Sequence, residues 1–184
     1  LALEHPADGA DLVVPVPDSG MYAALGYSAQ SGTPFEMGIM RNHYVGRTFI
    51  KPSPEDRKTT VNIKLNPIKE AVRKKNVCLV EDSIVRGNTS KERVKTLRKC
   101  EAGKVHMRIS CPPHKCPCFF GIDFPNSEEL IANKATKEEI SKIIGSDSLE
   151  YLSIEGMLKC PEKNNSRDFC HACFSGEYPV EPKN

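Results

Sequence analysis

The sequence predicts an α/β fold, a mainly parallel sheet flanked by helices, with a Cys-rich C-terminal tail. Two observations carry the sheet. Asp11-Leu-Val-Val-Pro15 and Asn76-Val-Cys-Leu-Val80 are short apolar runs of the kind that form buried parallel strands. Each is followed by a polar loop and then a helical stretch, Met21–Ser31 and Ser90–Ala102. Strands that alternate with helices of this length pack as a parallel sheet covered by helices.

The remaining elements follow in order. Between Arg41 and Pro67 lies a polar stretch, rich in Pro and Lys, with no clear periodicity. Loops longer than about 12–15 residues are uncommon unless they are lids or binding loops, so a lid is expected over residues 41–66. Lys104–Ser110 reads as a third strand because it follows Gly103, a natural helix stop. Ile140, Ile143 and Ile144 place one apolar face on a short helix over Thr136–Ile144. From Lys159 the composition turns polar, with Cys and Pro, and reads as an extended tail (159–184) appended to a domain over 1–158.

A chain of 184 residues is long enough for one such domain with a substantial core. A formal net charge of +2 is too small for a general nucleic-acid binder. No apolar run approaches the roughly 20 residues that cross a bilayer, and no secretory segment opens the chain. The start at Leu1, running almost at once into a strand, is what a piece of a longer protein is expected to show. Of the eight cysteines, Cys78 lies in a strand and Cys100 near a helix end, and the rest fall between Cys111 and Cys173. Clustering around a Cys-x-x-Cys element points to a metal in a reducing, cytoplasmic setting rather than to disulfides.

In open parallel sheets ligands bind beyond the carboxyl ends of the strands, which directs attention to Pro17–Gly20 and Glu81–Thr89. The sharpest element is Val77-Cys-Leu-Val-Glu-Asp-Ser-Ile-Val-Arg-Gly-Asn-Thr-Ser90. An apolar strand delivers two adjacent carboxylates at its exit, then a Gly turn and hydroxyl residues open a helix. A helix N-terminus offers free N–H groups and a positive dipole end to a phosphate. Gly87 permits close backbone approach, the Thr89 and Ser90 hydroxyls add donors, and the carboxylates face sugar hydroxyls or Mg²⁺. The same residues also suit a plain solvated loop with Ser90 as a helix cap. No Gly-Lys-Ser/Thr follows, so the segment is not a P-loop.

This run resembles the phosphoribosyl-diphosphate signature of type I phosphoribosyltransferases. In detail it is similar to that of the glutamine phosphoribosyldiphosphate amidotransferase family, which catalyses the first step of de novo purine synthesis. The likeness continues in the same order through Val16–Ser19, Tyr44–Ile50, Pro117–Asp123, Glu128–Ala132, Leu152–Gly156 and Ala172–Pro179. It implies that Glu81 and Asp82 bind ribose hydroxyls and Mg²⁺, with Ser19 completing the metal and diphosphate site beside Asp18. It implies that Ser83, Ile84, Val85, Arg86, Gly87, Asn88, Thr89 and Ser90 hold the 5-phosphate. The family usually carries Asp-Asp where this chain has Glu81-Asp82; glutamate keeps the charge and adds a methylene.

The start of the long loop joins the cations Arg41, Arg47 and Lys51 to the aromatics Tyr44 and Phe49. A planar guanidinium suits a diphosphate leaving group, and a closing loop would exclude water from an activated ribose. An exposed surface loop has the same composition. The resemblance implies the former, a lid in which Arg41, Tyr44, Arg47, Thr48 and Phe49 meet the substrate and Phe49 helps to wall an ammonia path.

Cys118, Cys170 and Cys173 match positions that bind a [4Fe–4S] cluster in the iron–sulfur branch of this family. The family's fourth ligand lies upstream of the segment matching Leu1. Either the chain is a fragment that lacks this ligand, or Cys116 or Cys160 substitutes for it, or no cluster forms; zinc is the competing metal because Cys₄ and Cys₃His sites share the Cys-x-x-Cys spacing and His171 is adjacent.

The implied reaction is displacement of diphosphate from C1 of phosphoribosyl diphosphate by ammonia, giving phosphoribosylamine, with Arg47 and Asp82 as catalytic residues. Full-length members carry an N-terminal glutaminase domain that supplies the ammonia; these residues contain none, so the chain alone is expected to use ammonia and not glutamine. Homo-oligomers and inhibition by purine nucleotides are expected by resemblance. Two other readings remain: a nucleobase phosphoribosyltransferase, and a regulator that binds phosphoribosyl diphosphate without turnover.

Overall fold

The computed structural model describes residues 1–42, 65–122, 126–161 and 169–181. Its main sheet contains β1 (Leu12–Pro15), β4 (Val77–Glu81), β5 (Val105–Ile109) and β6 (Ser148–Tyr151), hydrogen-bonded in that order and parallel throughout. The predicted strands and their direction are therefore present. β6 was not expected from the sequence. It is only four residues long, and its Ser-Leu-Glu-Tyr alternation leaves just Leu149 and Tyr151 buried. Short, half-polar strands give a weak periodic signal.

β4 shows why the central runs read as apolar throughout. Val77 and Leu79 point to one face, where they join Val94, Leu97, Met107, Ile109, Ile140 and Ile144. Cys78 and Val80 point to the other, against Ala24 and Tyr27 of α1 (Met21–Ser31). A strand covered on both sides must be apolar at every position, because successive side chains alternate between faces.

A small antiparallel ladder joins β2 (Ile39–Arg41) to β3 (Leu65–Pro67), bracketing the expected lid and leading into a one-turn α2 (Lys69–Val72). The other face of the sheet is covered by α3 (Asn88–Lys99) and α4 (Lys137–Ile144). The α3 boundaries lie ahead of the expected ones, since the turn begins directly at Gly87. α4 fulfils the expectation for residues 136–144: Thr136 accepts from the Glu139 N–H while Glu139 accepts from the Thr136 N–H, a reciprocal cap. α5 (Ile154–Leu158) follows β6 with Ser153 as its cap.

The tail is less extended than composition implied. Residues Ala172–Ser175 form a short α6, and the Cys173 carbonyl accepts from the Lys115 and Cys116 N–H groups, both at 3.0 Å. The Tyr178 hydroxyl donates to the Pro117 carbonyl at 2.8 Å, and Phe174 stacks on His114. At the other end, the segment before β1 is tied down by Arg108 of β5, whose buried guanidinium donates to the His5 and Pro6 carbonyls. No helix among the described residues is long and apolar enough to cross a membrane.

Candidate functional site

The register Pro15↔Val80 brings the exits of β1 and β4 side by side. Val16 N–H donates to the Val80 carbonyl and Gly20 N–H to the Val16 carbonyl, so the loop 17–20 curls against the start of 81–87. A Cβ on Gly20 would lie 2.4 Å from the Val80 carbonyl oxygen, which makes glycine a steric requirement here. Between the two loops opens a cleft of about 950 Å³. Pro17, Asp18, Ser19, Arg41 and all of Glu81–Ser90 line it, joined by Tyr22, Leu65 and Arg93.

Within the cleft the two acids differ sharply. Asp82 is exposed, whereas Glu81 is only 5% exposed and receives the Ser90 hydroxyl at 2.7 Å. Burial, the dominant cause, pushes the Glu81 carboxyl up to about 7, and the Ser90 hydrogen bond works against that rise. Ser90 therefore points inward to a carboxylate, while Asn88 and Thr89 remain exposed at the helix start.

Gly87 adopts φ 81, the left-handed region that glycine enters without a Cβ penalty. No side chain caps α3, and its first residues line the cleft, an arrangement that suits an anion at a helix start. Ile84 is buried and anchors the loop, and the Val85 carbonyl accepts from Ile131 N–H at 2.9 Å. Arg86, which the sequence placed among phosphate contacts, is paired with Glu129 at 2.7 Å on the surface. Arg41 is paired with Asp18, an exposed couple on the β1 side of the cleft. Ser19 is exposed in the same loop. Tyr44, Arg47, Thr48 and Phe49 lie outside the described residues.

Sequence reasoning missed Arg93. It is 5% exposed, lines the cleft, and its Nε has no hydrogen-bond partner. A signal existed: Ser90, Arg93, Val94 and Leu97 form the buried stripe of α3, and a cation on such a stripe is anomalous.

The oxygen donors at the cleft suit a hard cation such as Mg²⁺. Among the described residues no group of three or more His, Cys, Asp or Glu could hold a metal ion. A cation here would thus depend on ligand oxygens as well as on Ser19, Glu81 and Asp82. The tail cysteines do converge. Burial first, with nearby Cys118, Cys170 and Cys116 adding to it, raises the Cys173 thiol to about 11. They do not form a closed ligand set as they stand. Cys78 and Cys100 are buried and Cys111 is partly buried, and all eight cysteines are free thiols.

A parallel sheet, a carboxylate-bearing strand exit and an open helix start match the type I phosphoribosyltransferase fold. Comparison with known proteins makes this specific. The chain is 52% identical over 182 residues to amidophosphoribosyltransferase 1, chloroplastic, of Arabidopsis thaliana, covering 99% of this chain and 32% of that protein. It is 51% identical over 181 residues to amidophosphoribosyltransferase of Methanocaldococcus jannaschii, covering 98% of this chain and 38% of that one. A solved structure of glutamine phosphoribosylpyrophosphate amidotransferase from B. subtilis, complexed with ADP and GMP, superposes with a TM-score of 0.84 at 46% identity. That match covers 98% of this chain and 40% of the other. No family model matches the chain. Over its whole length the chain is homologous to amidophosphoribosyltransferases, and it spans about a third of the length of the curated relatives it matches.

Proposed function

We propose that this chain binds phosphoribosyl diphosphate in the cleft beyond β1 and β4. There ammonia displaces diphosphate from C1 to give 5-phosphoribosylamine, the opening step of purine biosynthesis. The observation that carries the reading is the exposed Asp82 in the loop that leads to an uncapped helix start at Asn88, in a chain about half identical to amidophosphoribosyltransferases.

In this reading the 5-phosphate sits against the N–H groups of Ser83–Thr89, with the α3 dipole favouring its charge. Asp82, and Glu81 behind it, accept from the ribose hydroxyls and fix the ring. Ser19, Glu81 and Asp82 would hold Mg²⁺, which when bound neutralises charge on the departing diphosphate. Ammonia is already a nucleophile, so no side chain need form a covalent bond. The chain's contribution is orientation and a fixed field in which carboxylates favour positive charge on the ribose. Arg47, Tyr44, Thr48 and Phe49 would close the other side.

In the full-length protein a glutaminase domain would supply the ammonia. The thiols of Cys118, Cys170 and Cys173, with Cys116 as the nearest candidate for a fourth, would hold a [4Fe–4S] cluster, or zinc in its place. No step of the transfer depends on either.

Calorimetric titration of phosphoribosyl diphosphate, with and without Mg²⁺, tests the reading. Mg²⁺-dependent binding abolished in Asp82→Asn, together with ammonia-dependent release of diphosphate, is the expected result. Binding without any diphosphate release would instead favour a regulator, and no binding by the folded chain would remove the site.

A further inference from the structure

Arg93 occupies a position that folding alone does not explain. Its guanidinium is buried one turn into α3, below the open helix start, and lines the cleft beside Glu81 and Ser90. Its Nε finds no acceptor, and none of the ion pairs among the described residues includes it. Glu81 lies close enough to interact with it through space, but the Glu81 carboxylate already receives Ser90. A buried donor without an acceptor costs stability, and a buried cation without a bonded anion costs more. Such a group persists in a cleft when a ligand supplies the missing oxygen.

We infer that Arg93 is a further binding residue of this cleft, its guanidinium, whose Nε has no partner in the fold, donating to an anionic oxygen of a phosphate group on the ligand. The inference rests on the cleft being the phosphoribosyl-diphosphate site. Two groups of that ligand carry the required chemistry, the 5-phosphate and the diphosphate. The 5-phosphate is favoured because Arg93 shares a helix with the N–H groups expected to hold it. Arg93 then supplements the dipole of α3 with a full charge from the interior side.

The test uses the 184-residue chain, ribose 5-phosphate and inorganic diphosphate as separate probes, and phosphoribosyl diphosphate with Mg²⁺ as the complete one. Arg93→Leu removes the charge while keeping an apolar stem, and Arg93→Lys keeps the charge. Thermal unfolding confirms that each variant is folded. Arg93→Leu is expected to weaken ribose 5-phosphate binding by roughly ten- to a hundredfold, the range for a lost hydrogen bond to a charged group. Inorganic diphosphate binding should be unchanged, and Arg93→Lys should recover part of the loss.

Combining Arg93→Leu with Glu81→Gln separates a ligand contact from an internal counter-charge. A deficit for ribose 5-phosphate that persists relative to Glu81→Gln alone supports the contact. Its disappearance in that background overturns it. Unchanged ribose 5-phosphate binding in folded Arg93→Leu also overturns it, while the Asp82→Asn control still loses phosphoribosyl diphosphate. If the parent chain binds none of the probes, the site assignment fails and this inference falls with it.

Discussion

The Ser90 hydroxyl donates to Glu81 Oε2 at 2.7 Å across the interior end of the cleft, joining the first turn of α3 to the last residue of β4. The bond ties the cleft-facing helix start to the carboxylate-bearing strand exit. It also gives the buried acid one of the few partners it has, which makes both residues sensitive to pH and to substitution.

Stability should depend on pH through Glu81. Its carboxyl is raised from an ordinary 4.5 to about 7 by burial. The folded state therefore binds the proton more tightly than the unfolded state does. This contribution is fully present below about pH 4.5 and is lost as pH rises through about 7, an effect on the order of 3 kcal/mol. Urea unfolding of the parent and of Glu81→Gln between pH 4.5 and 8 should show that part of the slope in the parent only. Parallel curves would show that Glu81 titrates normally.

Replacing Ser90 by Ala should destabilise the fold by about 1–3 kcal/mol, because it strips a buried carboxyl of its donor. The loss should be larger at pH 8 than at pH 5, since an ionised carboxylate needs the donor more than a protonated one does. Chemical unfolding at the two pH values checks both the size and the order.

Two glycines should respond in opposite directions to alanine. At Gly20 φ is −77, open to any residue, but a Cβ would press on the Val80 carbonyl at 2.4 Å. Gly20→Ala should therefore cost about 1–3 kcal/mol or more through forced backbone movement. Gly26 lies within α1 and its added methyl would meet nothing within 4 Å. Gly26→Ala should stabilise by roughly 0.5–1 kcal/mol. Thermal unfolding of both variants gives the comparison.

At Gly87 both constraints act together: φ is +81, and a Cβ would approach Ile131 Cδ1 at 2.8 Å. Alanine should cost about 1–2 kcal/mol for the backbone conformation alone. It should also lower affinity for ribose 5-phosphate, because the turn that opens α3 must shift. Calorimetry beside a melting curve separates the two effects, and full affinity in a destabilised variant would mean that the turn is structural only.

Much of the fold was readable because it is written locally. The runs 11–15 and 76–80 announce strands by continuous apolarity and 104–110 by its place after Gly103, and Gly103 and Gly87 mark a helix end and a helix start within a few residues of their effect. The helix over Met21–Ser31 and the capped helix after Thr136 were legible for the same reason. The order of acid, glycine and hydroxyl residues after β4 likewise marked where a ligand-binding loop was to be sought, and the relatives match the chain over nearly its whole length.

What the sequence could not decide is the environment of each side chain, since burial depends on residues far away in the chain. Glu81 and Asp82 are neighbours of the same charge, yet β4 ends between them, turning Glu81 into the interior toward Ser90 and leaving Asp82 in the cleft. Arg86 reads as an unpaired cation until Glu129, 43 residues on, is found beside it. Arg93 reads as one more surface cation until α3 packs on the sheet and buries it against the site. Local pattern determines which backbone is built; only the packed sheet determines which charges lose their water, and it is that loss which turns a residue type into a site.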